Sequence, residues 1–235
     1  TRCLSDWSSD VCSSDLNPAG RVWSKEELEK LGEICLKNHV MVISDEIHSD
    51  IIMPGYHHTV FASVNPEFAD HCMVCTSPSK TFNLAGLNLA NIIIKNPDLM
   101  KQYKKTCLES ATDYNSFFGY AACKAGYTKG REWLKEMIET VYDNYKYLVQ
   151  FMQENYPQTR VYNLEGTYLA WVDVRSFGME AKELETFMTD KAWLFLDHGY
   201  LFGKQGEGFV RFNLACPKTV LQEALLRMKK ALDER

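Results

Sequence analysis

Two short, continuously apolar runs constrain this chain more than any other feature. Val40-Met41-Val42-Ile43-Ser44 breaks off into Asp45-Glu46, and Cys72-Met73-Val74-Cys75-Thr76 breaks off into Ser77-Pro78-Ser79-Lys80. A strand that is apolar on both faces must be covered on both faces, as parallel strands of α/β proteins are. Ligands of such sheets bind outside the carboxyl ends of the strands, so the residues that interrupt the runs are the ones to inspect for chemistry. A third run, Asn91-Ile92-Ile93-Ile94, follows the glycine of Leu84-Ala85-Gly86-Leu87.

Helical periods alternate with these strands. Ser24-Lys25-Glu26-Glu27 has the form of a capping box and predicts a helix to about residue 37, with Leu28, Leu31, Ile34, Cys35 and Leu36 on its period. Residues 98–126 read as helical, with Cys107, Leu108, Ala111, Phe117, Ala121 and Ala122 inward. Residues 130–155 read as a long amphipathic helix striped by Trp133, Met137, Val141, Tyr145 and Leu148 and ended by Pro157. Beyond it a strand (166–174), helix (180–190), strand (209–214) and helix (217–234) form an α+β pattern.

The expected architecture is therefore α/β: a partial, mostly parallel large-domain sheet over residues 17–129, a connecting helix over 130–156, and a small C-terminal α+β domain over 157–235. Residues 1–16 stand apart, because Leu4-Ser5-Asp6-Trp7-Ser8-Ser9-Asp10-Val11 is nearly echoed by Cys12-Ser13-Ser14-Asp15-Leu16 without a hydrophobic period. They read as lying outside the fold, either as translated adapter read-through at the end of a fragment or as a disordered native tail.

With 235 residues, 46% of them hydrophobic, the chain can bury one large core or two smaller ones. A net charge of −5 disfavours a general polyanion binder, so the expected partner is a small molecule rather than nucleic acid. Neither an apolar run of about 18 residues nor the order of a signal peptide is present, which predicts no membrane partner and a soluble, cytoplasmic protein. The eight cysteines are scattered through a long chain and read as reduced thiols.

A lysine becomes catalytic when it forms an imine with an aldehyde cofactor and then acts as a base. Lys80 follows a buried strand among neutral Ser, Pro, Thr, Phe and Asn residues, which desolvate an ammonium without offering it a carboxylate. Asp45, thirty-five residues earlier, ends another apolar strand, where a carboxylate suits a pyridinium nitrogen. Asn17 sits in an Asn-Pro-Ala-Gly turn. Arg211 interrupts an otherwise apolar strand, where an unpaired charge would be costly, so it needs an anionic partner; a salt bridge within the small domain is one such partner. Two further clusters are discounted. Cys72 and Cys75, three apart on a strand, point to opposite faces, and His57-His58 in a Pro/Gly loop reads as an exposed pair without a metal.

Four motifs in order, Asn17-Pro18-Ala19-Gly20-Arg21-Val22-Trp23, Ser44-Asp45-Glu46-Ile47-His48-Ser49-Asp50, Ser77-Pro78-Ser79-Lys80-Thr81-Phe82-Asn83-Leu84-Ala85-Gly86-Leu87 and Gly208-Phe209-Val210-Arg211-Phe212-Asn213-Leu214-Ala215, resemble those of fold-type I pyridoxal 5'-phosphate (PLP) enzymes of the aminotransferase class I/II superfamily. They look closest to the MalY/PatB group of cystathionine β-lyase-like C–S lyases, over Asn17 to Arg235. The resemblance implies that Lys80 carries the cofactor as a Schiff base, Asp45 pairs with the ring nitrogen, Asn17 contacts the ring hydroxyl, Ser77 helps hold the phosphate and Arg211 clamps the substrate carboxylate. His48 stands where many aminotransferases place a tyrosine, and either tunes the cofactor or packs beside it. Asn88 replaces an arginine that many aminotransferases use for the phosphate, which favours the lyase. The implied activity is β-elimination from cystathionine- or cysteine-type amino acids to pyruvate, ammonia and a thiol, by a homodimer when full length. A class I/II aminotransferase is the alternative; a PLP-binding regulatory module, or an inactive fragment lacking the upstream phosphate-binding and ring-stacking residues, is the alternative of another class.

Overall fold

The computed structural model describes residues 15–112 and 116–235, without the side chains of residues 15 and 16. The expectation that residues 1–16 stand outside the fold therefore lies outside the described residues. The chain divides into two compact units, one built mainly from Val22–Leu134, the other from Asn17–Arg21 with Lys135–Arg235. Two two-residue strands, β1 (Asp15–Leu16) and β2 (Arg21–Val22), open the described chain.

In the first unit α1 (Lys25–Lys37) begins at the predicted capping box: the Glu27 amide donates to Ser24 Oγ (3.2 Å) and the Ser24 amide to Glu27 Oε2 (2.9 Å). It is followed by β3 (Val42–Asp45), the short helices α2 (Phe61–Val64) and α3 (Pro66–Asp70), β4 (Cys72–Thr76), the one-turn α4 (Pro78–Thr81) and β5 (Asn91–Ile93). The sheet order is β3-β4-β5. β3 and β4 run parallel, in register from Val42↔Cys72 to Asp45↔Cys75, as the apolar runs predict; β5 joins antiparallel, so the sheet is mixed. Its core comprises Leu28, Val42, Phe61, Phe68, Cys72 and Val74. Gly32 of α1 is a packing requirement, since a Cβ there would come within 2.3 Å of the Phe68 ring.

The single helix expected over 98–126 is two, α5 (Pro97–Glu109) and α6 (Phe117–Lys129). Ser110 ends α5 as its C-cap, Ala111 takes a left-handed φ of 51°, and Ser116 caps the next helix by accepting the Gly119 amide. Several positions expected inward face out: Leu108 and Phe117 are 69% and 82% exposed. The apolar period was real, but it spanned a break.

α7 (Arg131–Asn155) supplies the long helix, and the boundary between the units falls within it, after Leu134. The second unit continues with β6 (Arg160–Val161), β7 (Leu169–Asp173), α8 (Ala181–Thr186), β8 (Asp197–His198), β9 (Phe209–Asn213) and α9 (Lys218–Asp233). Its antiparallel sheet has the order β6-β7-β9-β8 and packs Val172, Val210, Phe212, Leu221, Leu225 and Met228 into a core. Asn17–Arg21, which a linear reading assigns to the large domain, belongs here because the Gly20 carbonyl accepts the amides of Glu165 (2.7 Å) and Gly166 (3.2 Å).

The buried stripe of α7 is Val141, Asn144, Leu148, Phe151 and Met152. Asn144 is the polar member. Its Nδ2 donates to the carbonyls of Leu214 (2.9 Å) and Cys216 (2.8 Å), closing the strand-to-helix turn after β9. Replacing Asn144 by Ala leaves two buried carbonyls without a donor and is expected to lower stability by about 2–3 kcal/mol in a denaturant titration.

Candidate active site

Because β3 and β4 are parallel and in register, their carboxyl ends open on the same edge of the sheet, and Asp45, His48, Ser77 and Lys80 follow from those ends. Asp45 is the last residue of β3. Val42 and Ser44 alternate into the core, so Asp45 shares the opposite face with the 41%-exposed Ile43. Its Oδ1 accepts the Ile47 amide at 3.3 Å, a turn that ends the strand. His48, three residues on, is buried, and its carbonyl accepts the Ile51 amide.

Ser77 leaves β4 and caps α4 by accepting the Ser79 amide on Oγ (3.0 Å). That Oγ also lies 2.6 Å from the Leu89 carbonyl and 2.7 Å from Ser79 Oγ. A hydroxyl has one proton, and a carbonyl can only accept, so the Ser77 proton goes to Leu89. Lys80 follows on α4, half-buried.

The turn that carries Lys80 is held on both sides. Thr81 is fully buried, and its Oγ1 donates to Asp50 Oδ2 (2.7 Å); the Tyr127 hydroxyl donates to the same oxygen (3.1 Å). Burial and the nearby Asp50 charge push the Tyr127 phenol well above its ordinary range, so it remains a donor. Phe82 packs edge-on to Tyr127 and against Trp133. It fits because Gly126 and Gly130 lack side chains: a Cβ on either would lie 2.6–2.7 Å from its ring. Lys80 thus has a carboxylate one residue away, held on Thr81, where the sequence shows only neutral neighbours. Sequence reading passed over Asp50 because its partners lie 31 and 77 residues downstream.

Two acidic side chains were expected to enter the site from the end of β3, and only Asp45 stands on that face. Glu46 is fully buried; its Oε1 accepts Ser44 Oγ (2.9 Å) and the Phe61 amide (3.1 Å), and its Oε2 lies 2.8 Å from His58 Nε2. His58 is accordingly drawn inward instead of forming an exposed pair with His57, and Glu46 ties the 47–60 loop to the strand end. Among the described residues no group of three or more His, Cys, Asp or Glu side chains is arranged to hold a metal ion. Cys72 and Cys75 lie on β4, Cys72 buried and Cys75 less so. Burial, together with the charges of Glu46 and Asp70, pushes the Cys72 thiol up to about 11, the reverse of what a metal-binding thiolate needs.

Asn88, where an arginine was noted as missing, ends a short 3-10 turn in left-handed backbone (φ 49°, ψ 57°) and is exposed. Asparagine tolerates that conformation better than most side chains.

In the second unit the structure brings Asn17 and Arg211 together: Arg211 Nη1 donates to Asn17 Oδ1 at 2.6 Å. Arg211 lies on β9 between the buried Val210 and Phe212, with Trp171 of β7 on one side and Asp197 of β8 on the other as its register partners. Its Nη2 donates to Asp197 Oδ2 at 2.5 Å, and its guanidinium lies 4.8 Å from the Phe202 ring centre. The salt bridge within the small domain, weighed above as one anionic partner, is therefore present, and the amide contact to Asn17 accompanies it.

The aminotransferase class I and II family pattern matches residues 12–228. Cystathionine beta-lyase PatB of Bacillus subtilis (strain 168) is 40% identical over 218 residues, covering 92% of this chain and 56% of PatB. Protein MalY of Escherichia coli (strain K12) is 30% identical over 223 residues, 94% of this chain and 56% of MalY. The crystal structure of cystalysin from Treponema denticola, which contains a pyridoxal 5'-phosphate cofactor, superposes with a TM-score of 0.91 at 46% identity, covering 94% of this chain and 56% of that one. The chain thus spans little more than half the length of these relatives.

Two outcomes test this geometry. Glu46→Ala should lower the stability of the first unit by about 3 kcal/mol in denaturant, since it strands three donors around a buried site. In the native protein at pH 8, Cys72 should resist iodoacetamide while partly exposed thiols react, with protection lost in urea; peptide mass spectrometry reads the difference.

Proposed function

Since this chain belongs to the aminotransferase class I and II family, we propose that it is the lysine-bearing part of a PLP-dependent carbon–sulfur β-lyase acting on cystathionine- or cysteine-type amino acids. The observation that carries the reading is the placement of Asp45 and the Lys80 turn at the carboxyl ends of adjacent parallel strands. The similarity to PatB and MalY supports the lyase over amino-group exchange, as does Asn88 in place of an arginine.

The donor set of the first unit suits PLP: an amine for its aldehyde on a turn fixed by Thr81 and Phe82, and a carboxylate at the end of the neighbouring strand for its ring nitrogen; the second unit by itself offers an arginine for a carboxylate. When bound, PLP supplies an electron sink for the pair left behind as the substrate's α-proton departs. In this reading the Lys80 amine takes that proton, Asp45 keeps the ring nitrogen protonated, and Arg211 holds the α-carboxylate. Asn17 contacts the ring hydroxyl, and Ser77, the N-cap of the Lys80 turn, helps hold the phosphate. His48, buried three residues after Asp45, is read as a residue that either tunes the cofactor or packs beside it. The β-carbon–sulfur bond would break with its electron pair leaving on sulfur, which takes up a proton to give the thiol, and hydrolysis of the remaining three-carbon fragment by water would give pyruvate and ammonia.

The first unit is then a partial cofactor-binding domain and the second a small domain. The whole protein is read as a cytoplasmic homodimer. The six described cysteines, all free thiols, accord with a reducing compartment. No described helix is long and apolar enough to cross a membrane.

Cystathionine given to the full-length protein should yield pyruvate, detected by coupled lactate dehydrogenase, and Lys80→Ala should reduce turnover by about a thousandfold. Borohydride reduction in the presence of PLP should place a pyridoxyl group on Lys80 in a tryptic map. Keto-acid exchange without pyruvate would refute the lyase assignment.

A further inference from the structure

We propose that Asp197 is a resident carboxylate of the Arg211 site, one with which an incoming α-carboxylate must compete. The inference rests on the reading of Arg211 as the carboxylate clamp and adds a residue that sets its affinity.

The geometry of the guanidinium decides which edge a ligand can use. A carboxylate grips arginine with two parallel N–H···O bonds, along either the Nε/Nη2 edge or the Nη1/Nη2 edge. In Arg211 the Nε is buried and has no hydrogen-bond partner, so the first edge is closed to an entering oxygen. The Nη1/Nη2 edge remains, and both its nitrogens are taken: Nη1 by the Asn17 amide oxygen, Nη2 by Asp197 Oδ2. Each nitrogen keeps a second N–H, but a bidentate ligand on this edge meets two acceptors already drawn to it and competes with both.

The two occupants are not equivalent. Asn17 is neutral. Asp197 carries the charge that an α-carboxylate would bring, so it competes for the same compensation. It is held opposite Arg211 by the β8–β9 register, which pairs the two residues directly and makes the contact a property of the sheet. Yet it is a weaker ligand than the one it imitates. It gives one oxygen where a free carboxylate gives two, and its side chain is 51% exposed against 15% for Arg211, so it can turn to water when displaced. Meanwhile the Arg211 guanidinium lies over the Phe202 ring, its charge compensated by Asp197.

The consequence is a lowered affinity for any carboxylate ligand. The test uses sodium acetate as probe, at constant ionic strength made up with chloride, following the Arg211 side-chain resonances by 15N NMR in the wild-type chain and in Asp197→Asn. The amide keeps the shape and removes the charge. Acetate should half-saturate the Asn variant at a concentration about fivefold lower or less, in keeping with the loss of a partly exposed ion pair. The reporter resonances are assigned to Arg211 by their loss in Arg211→Gln. An Arg211-dependent response that is unchanged or weaker in Asp197→Asn would overturn the inference alone, showing Asp197 to be a brace for the arginine. No Arg211-dependent response in either protein would overturn the carboxylate reading of Arg211 with it.

Discussion

The parallel pairing of β3 with β4 is the constraint from which the rest of the first unit follows. It places Asp45 opposite Cys75, two residues short of Ser77, so a carboxylate and an amine-bearing turn emerge on one edge although thirty-five residues separate Asp45 from Lys80 in sequence. The strands are short, and the polar groups around them hold the pairing to this register. Glu46 gathers Ser44, Phe61 and His58 at one strand end, while Ser77 binds across to Leu89 at the other. A slip of one residue would send Asp45 into the core and Ser44 out of it.

Lys80 depends on this frame without being an element of it. Thr81 is bonded into the protein and Phe82 is wedged against two glycines, so the segment holding the lysine backbone has little freedom, and the amine's own motion is confined to its side chain. That division suits a residue that binds a group, releases it and then moves a proton. Anchoring neighbours absorb the positional cost so that the reactive side chain does not have to.

Local patterns carried much of this into the sequence. The capping box at Ser24, the two apolar runs and the stripe of α7 each obey a short-range rule, and each appears where that rule puts it. What the sequence concealed was long-range. The break after Glu109 is hidden inside an apolar period that continues across it, and Glu46 looks like one more strand-ending acid until His58 and Phe61, 12 and 15 residues on, are in place beside it. Asp50, Asn144 and Asp197 share that property: each is defined by partners that lie 14 to 77 residues away in the chain. Arg211 was legible as an anomaly, a charge in an apolar strand. Its occupants were not.

The left-handed backbone at Asn88 limits which side chains can stand there. An arginine at this position would have to adopt a conformation that costs most L-residues roughly 1–2 kcal/mol, in a turn shaped to asparagine. Any substitution of Asn88 other than glycine is therefore weighed first by the backbone and only then by whatever the side chain could bind.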